Sequence, residues 1–258
     1  MKIKDLVLPS FKKTVPVKEK KVFAAMCVHR GVQVRTLKMM RFFEKCPDPK
    51  IKFYIYEGDA LIDRARGRAA TDFMKSDCDI LLFIDDDIFF YNEIQIRQLC
   101  DAAIYNDEID IVGAAYSIKD DTKPVFAIRT LEDKGNYVFG KLGQIFEVRY
   151  ISSGCMAVKR RVFQEMINAE TVHLCNPDTL AFYPFFTPME TQLNGQWIYL
   201  SEDWSFCEKA RNLGFKVWVD STIKLGHIGP KVYDWDGFLN TEKKTAENIT
   251  YQVNVLNQ

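Results

Sequence analysis

Apolar residues along this chain fall into short continuous runs, separated by longer stretches in which they recur at helical spacing. Lys21 to Val28, carrying Val22, Phe23, Ala24, Ala25 and Met26, reads as a first strand. Ile80 to Ile84, with its β-branched and aromatic members, reads as a buried one. Ile51 to Tyr56 sets Ile51, Phe53 and Ile55 against Lys52 and Tyr54, the period of two of an extended chain. The spacing predicts helices over 34–44, 60–75 and 92–106. Core candidates are Leu37, Met40 and Phe43 in the first, and Ile94, Ile96, Leu99, Ala102 and Ala103 in the third. With a further strand over Ile109 to Tyr116, the order β-α-β-α-β-α-β implies a mostly parallel sheet with crossover helices.

The pattern changes after Tyr116. Pro124 to Arg129 and Tyr137 to Ile151 read as shorter strands joined by glycine-containing turns, a shift towards antiparallel pairing. Ser152 to Val158 is a small-residue loop leading into a strand, and a helix follows over 159–169. Thr171 to Trp197 reads as irregular, rich in proline and in aromatics such as Phe182, Tyr183, Phe185, Phe186 and Trp197. A helix from about Trp204 to Asn212 closes at Gly214, before a strand over 216–220. The chain thus divides into an extension over 1–20, one α/β domain over 21–239 and a polar tail over 240–258.

Composition narrows the function classes. A chain of 258 residues is long enough for one large domain with a real core. Its 35 basic and 35 acidic residues balance, which argues against a general electrostatic nucleic-acid binder and leaves only a local basic groove. Seven cysteines form no CxxC pair and no zinc-like spacing; without a signal peptide, the simplest expectation is the reduced cytoplasm. No segment is apolar over the length a bilayer span needs, so no transmembrane segment is expected, while peripheral membrane contact stays open.

Candidate chemistry begins at Asp85-Asp86-Asp87, directly after the apolar run. Carboxylates arriving at a strand end are costly unless solvated, paired or bound to a cation. A strand end is where an open α/β sheet meets its ligand. If the backbone stays extended, Asp85 and Asp87 point the same way and suit a hard divalent ion that also holds phosphates. Taken alone, the triplet reads equally as an acidic strand-to-loop corner with solvated carboxylates.

Four features then stand in order: Asp85-x-Asp87 at a strand end, Gly154 in a small-residue loop, Glu202-Asp203 at a helix start, and an isolated His227 after a late strand. This set resembles the GT-A class of nucleotide-sugar glycosyltransferases over about residues 21–233, with local wording most similar to viral and bacteriophage members. The resemblance implies a Rossmann-like single domain with a mixed central sheet. It implies a metal, Mn²⁺ or Mg²⁺, on Asp87 and His227, with Asp85 on the metal or the ribose and Asp86 in support. It makes Asp203 a general base and Glu202 its neighbour on the acceptor, with inversion at the transferred sugar. It places Cys27, Val28, His29 and Arg30 against the nucleotide, Arg66 near the donor, and Gly154 where backbone approaches sugar. Gly67 stands where the class more often has Asn, and Arg68 reads as a solvated helix face.

The donor implied is a nucleotide sugar, with UDP-sugars such as UDP-glucose foremost. The acceptor is a glycan on a viral structural protein or a hydroxymethylated base in phage DNA, and the compartment for a viral protein is the host cytoplasm. The aromatic segment over 171–197 is the expected acceptor side, by stacking on sugars or bases, with core filling as its plain alternative. Tyr233, Asp234 and Trp235 are expected to close over a diphosphate. The tail is open to homodimer contact, acceptor contact or neither. Two other readings compete: a haloacid-dehalogenase-like phosphohydrolase with the first Asp as nucleophile, and a non-catalytic sugar-binding protein.

Overall fold

The structure is a computed structural model of the chain; it describes residues 19–254 except 30, 44, 46–48, 93, 122–124, 133 and 239–247. The first half runs β1 (Lys21–Val28), α1 (Val34–Phe43), β2 (Lys50–Glu57), α2 (Ile62–Lys75), β3 (Ile80–Ile84), β4 (Ile88–Phe90), α3 (Ile94–Tyr105) and β5 (Ile111–Gly113). Four strands and a helix follow: β6 (Ile128–Thr130), β7 (Lys134–Gly140), β8 (Ile145–Ile151), β9 (Cys155–Lys159) and α4 (Arg160–Asn168). The chain continues with β10 (Met189–Leu193), β11 (Gln196–Leu200), α5 (Glu202–Asn212), β12 (Val217–Asp220), β13 (Leu225–Ile228), β14 (Val232–Tyr233) and β15 (Asn248–Asn254).

Among the described residues, eight strands form one central sheet in the order β2-β1-β3-β9-β5-β12-β8-β6. Alternation along the strands sorts the core onto two faces. Val22, Ala24 and Met26 of β1 and Leu82 of β3 pack with Met39 and Phe43 of α1 and Leu99 of α3. Phe23, Ala25, Leu81 and Phe83 pack on the other face with Phe73 of α2, Phe163 of α4 and Phe206 of α5. The fold is α/β and Rossmann-like, one domain with a mixed central sheet of the GT-A kind. Helix faces differ in detail from the expected ones. Thr36, Met39 and Phe43 form the buried side of α1, whereas Leu37 is exposed, and Ile94 at the start of α3 is exposed as well.

The sheet departs from a mostly parallel order at β9, and again at β8, which is antiparallel to β12 and β6. β1 is parallel to β2 and to β3, but β9 enters antiparallel between β3 and β5. The residues explain it: Cys155, Met156, Ala157 and Val158 are all fully buried, so β9 has two apolar faces and fits only a sheet interior. Gly113 at the end of β5 permits the fit, because a Cβ there would lie 2.6 Å from the Cys155 carbonyl oxygen and from Ile151 Cδ1.

Two expected stretches resolve differently. Tyr137 to Ile151 divides into β7 and β8, and β7 leaves the central sheet to pair antiparallel with β15. Thr171 to Trp197 is not irregular throughout: β10 and β11 form a hairpin about Asn194-Gly195, both at positive φ, as a type I′ turn requires. The aromatics before the hairpin are core. Phe185 and Phe186 are fully buried, and Phe186 stacks on Phe206 with centroids 4.6 Å apart.

Candidate active site

β1 leads to β2 on one side and β3 on the other, so chain direction diverges there and a crevice opens over the strand ends. Cys27, Val28 and His29 at the end of β1 line a cavity of about 140 Å³ with Tyr56 and Asp59. Burial pushes the Cys27 thiol up to about 12, so it is a wall and not a nucleophile. Asp59, which sequence reasoning passed over, accepts from Arg64 at 2.8 Å and faces Arg68 at 3.6 Å. Its carboxyl is held below the usual range, first by the Arg64 hydrogen bonds. Arg68 therefore belongs to this cluster rather than to a solvated face. Arg30 lies outside the described residues.

The three aspartates do not continue the strand. Ile88 N–H donates to the Asp85 carbonyl at 3.2 Å, closing a turn over 85–88, so the extended-chain argument for Asp85 and Asp87 fails and they part. Asp85 keeps the strand's alternation and points to the α2 face, where it accepts from Arg66 Nη2 at 2.8 Å. Arg66, only 5 % exposed, also bonds Glu202 through Nη1, and its Nε has no hydrogen-bond partner among the described residues. Burial alone would lower its pKa, but the Asp85, Glu202 and Asp203 carboxylates outweigh that and raise it. Glu202 is pushed up by burial, against the pull of Arg66. Asp86 accepts from the His29 backbone N–H and is raised to about 6, by burial and then by its acidic neighbours.

Asp87 turns to the other side. β4 pairs with β13 so that Ile88 faces His227, and Ile228 N–H bonds the Asp87 carbonyl at 2.8 Å. Gly226 makes room for the Phe89 ring beneath this pair. His227 Nε2 lies 3.5 Å from Asp87 Oδ2, and Nδ1 lies 2.9 Å from the Ser117 carbonyl oxygen. A carbonyl only accepts, so Nδ1 carries a hydrogen and Nε2 is the ring atom turned towards the carboxylate oxygen. An imidazole nitrogen and a carboxylate oxygen are both metal-ligating atom types. Lys119 Nζ bonds that same Oδ2, an interaction no motif announced. Burial works to raise the Asp87 carboxyl, yet His227 and Lys119 hold it below its ordinary value.

Among the described residues, no three His, Cys, Asp or Glu side chains are grouped to hold a metal. Asp87 and His227 are brought together and Asp85 is not. A two-ligand protein site suits Mg²⁺ or Mn²⁺ when substrate oxygens and water complete the shell.

Gly154 is required for a different contact from the one expected. A Cβ there would stand 2.5 Å from the Tyr116 hydroxyl and 2.8 Å from Asp85 Oδ2, so the glycine admits side chains. Its carbonyl accepts from Asp85 N–H at 3.0 Å. Tyr116 is buried there, its phenol raised by burial and by Asp85 and Asp203.

Asp203, 8 % exposed, starts α5 with Glu202. Its Oδ1 accepts from Trp204 N–H at 2.8 Å and from the Ser201 hydroxyl. Ser201 thus orients the carboxylate instead of capping the helix backbone. Trp204 lies against Tyr150 with centroids 5.1 Å apart. Gly67 is explained by packing: a Cβ would stand 2.9 Å from the Phe182 ring. Tyr91, just after β4, bonds Asp234, and Lys224, just before β13, bonds Asp236 at 2.6 Å, which ties the segment after His227 to the ends of both strands.

No protein-family model and no curated protein matches the sequence. Solved structures do match in fold. A197 from STIV is 16 % identical, covering 81 % of this chain and 86 % of that one at a TM-score of 0.52. CMP:2-keto-3-deoxy-manno-octonic acid synthetase complexed with CTP is 12 % identical, covering 78 % and 89 % at a TM-score of 0.40, too loose an overlap to build on. The first likeness is one of fold. Among the described residues, no helix is long and apolar enough to cross a membrane.

Proposed function

We propose that this chain is a metal-dependent glycosyltransferase that moves a sugar from a nucleotide-diphosphate donor, a UDP-sugar such as UDP-glucose first among them, to an acceptor hydroxyl. The observation that carries this reading is the facing pair of Asp87 Oδ2 and His227 Nε2, 3.5 Å apart, with the Tyr116 ring against His227 and its hydroxyl in the field of Asp85 and Asp203. Nε2 and Oδ2 would supply two of the six positions of an octahedral shell, and the diphosphate of such a donor would supply further oxygens. When bound there, Mn²⁺ or Mg²⁺ neutralises charge on the departing diphosphate.

The chain's own groups divide the remaining work. Cys27, Val28, His29, Tyr56 and Asp59 offer the cavity for the base and ribose. Asp85, fixed by Arg66, borders the ribose side. Lys119 carries positive charge to Asp87, next to where the diphosphate accumulates negative charge. Asp203, oriented through Oδ1, takes the acceptor proton as that oxygen bonds to the anomeric carbon. The carbon–oxygen bond to the diphosphate breaks, and the diphosphate leaves with the electron pair. Attack from the side opposite the nucleotide inverts the anomeric centre. A phosphohydrolase would need Asp85 free as nucleophile, but Arg66 binds its Oδ1 and its Oδ2 packs over Gly154.

Titration calorimetry with UDP and GDP, with and without Mn²⁺, tests the reading. Expected is Mn²⁺-dependent binding of one nucleotide, lost in Asp87→Asn and in His227→Ala. Equal affinity with and without Mn²⁺ removes the metal from the reading. Absence of binding by either nucleotide removes the donor.

A further inference from the structure

A second cavity is lined by Ser201 and Trp204, the residues that bond Asp203 Oδ1. Its volume is about 360 Å³, within the range of small-molecule sites. Ile118, Val125, Ala127, Ile128 and Trp204 form its walls. The polar side chains on it are Ser152 and Ser201, and both are already engaged with the site. Ser201 donates to Asp203, and Ser152 bonds the buried Tyr116 hydroxyl beside Asp85. The two serines therefore mark where the cavity meets the carboxylates, and the remaining side chains are apolar apart from the indole N–H of Trp204, the neighbour of Asp203.

A free sugar carries hydroxyls all round its ring, and each needs a partner once it leaves water. This cavity has partners at its Asp203 end only. We infer that it seats an apolar group of the acceptor, aryl or alkyl, with the reacting hydroxyl held at the Asp203 end. The acceptor is accordingly amphipathic, not a bare oligosaccharide. This inference rests on the transferase reading for the role of Asp203 and adds the class of acceptor.

The test compares phenyl β-D-glucopyranoside with methyl β-D-glucopyranoside, which share a sugar and differ only in the apolar group. Binding of each is measured by calorimetry and by ligand-observed NMR, with UDP and Mn²⁺ titrated in parallel. The phenyl glucoside is expected to bind about tenfold tighter or better, the gain from burying one ring. Ile118→Asn makes a half-exposed wall polar at little risk to folding, and Ala127→Leu fills the cavity; each is expected to abolish the preference. Equal affinity for the two glucosides in the wild-type protein overturns the inference. So does a phenyl preference that survives both variants, because the ring then sits elsewhere. Failure of any nucleotide to bind overturns the transferase reading, and the acceptor role with it, whatever the glucosides do.

Discussion

Arg66→Met removes a cation that Asp85 and Glu202 share. The guanidinium is 5 % exposed, its partners' side chains 27 % and 18 %. Deleting one partner of a buried ion pair typically costs about 3–5 kcal/mol, because the other charge is left without compensation. Here two carboxylates are left, but both retain some water, which favours the lower end, about 3 kcal/mol. For a domain of this size each kcal/mol lowers the midpoint of thermal unfolding by about 2–4 °C, so a drop of roughly 6–12 °C is expected. Urea unfolding followed by tryptophan fluorescence measures the same loss as free energy. Adding Glu202→Gln to Arg66→Met removes one stranded charge, and about half the loss is expected to return, a coupling the double-mutant cycle isolates. Loss of less than about 1 kcal/mol in Arg66→Met, or no recovery in the double variant, would refute the idea that Arg66 neutralises this pair.

Asp203→Asn keeps shape and hydrogen bonding but not basicity; turnover is expected to fall about 10²- to 10⁴-fold in steady-state assays while nucleotide still binds. Gly154→Ala drives a Cβ into Tyr116 and Asp85, and a loss of about 1–3 kcal/mol in urea unfolding is expected, with weakened nucleotide binding in the same preparation. Lys209, bonded to the Phe185 and Thr187 carbonyls, is lowered to about 8 by burial. Its unfolded form stays protonated to about 10.4, so between those values the unfolded chain binds more protons and stability rises with pH. Relative to Lys209→Met, the wild-type protein should therefore gain stability from pH 7.5 to about pH 10 in urea unfolding, and a flat difference would contradict the burial.

Local pattern made the first half legible. The run from Lys21 to Val28 is uninterrupted because β1 is buried on both faces, and its observed bounds are the ones its composition dictates. Arg66 and the Glu202-Asp203 helix start were readable because a resemblance attached roles to them, although what binds there is a separate question. Three things were not read. β9 sits between β3 and β5 through pairing across more than 70 residues in one case, and no local period reports such a neighbour. The divergence of Asp85 and Asp87 depends on a turn that three consecutive aspartates do not announce. Lys119 reaches Asp87 from a loop with no motif around it. The hairpin over 189–200 is a different kind of miss, because Asn194-Gly195 between alternating residues is a strong turn signal. The density of aromatics nearby drew the reading away from it. Phe185 and Phe186 turned inward, whereas Trp197 and Tyr199, 67 % and 74 % exposed on one face of β11, remain the aromatics of that region open to a partner.

The antiparallel strand at the centre of the sheet also sets an order of events during synthesis. β3 and β5 leave the ribosome early, yet they do not pair with each other; the slot between them is filled by residues 155–159. Until those residues emerge, the growing chain holds two unpaired apolar edges, the kind of surface that draws non-native strand pairing. Gly154, whose carbonyl fixes Asp85, arrives with the same strand. Closure of this slot and the Gly154 contact to Asp85 thus come in one step, and a chain ended before Gly154 should expose an aggregation-prone edge and lack that contact altogether.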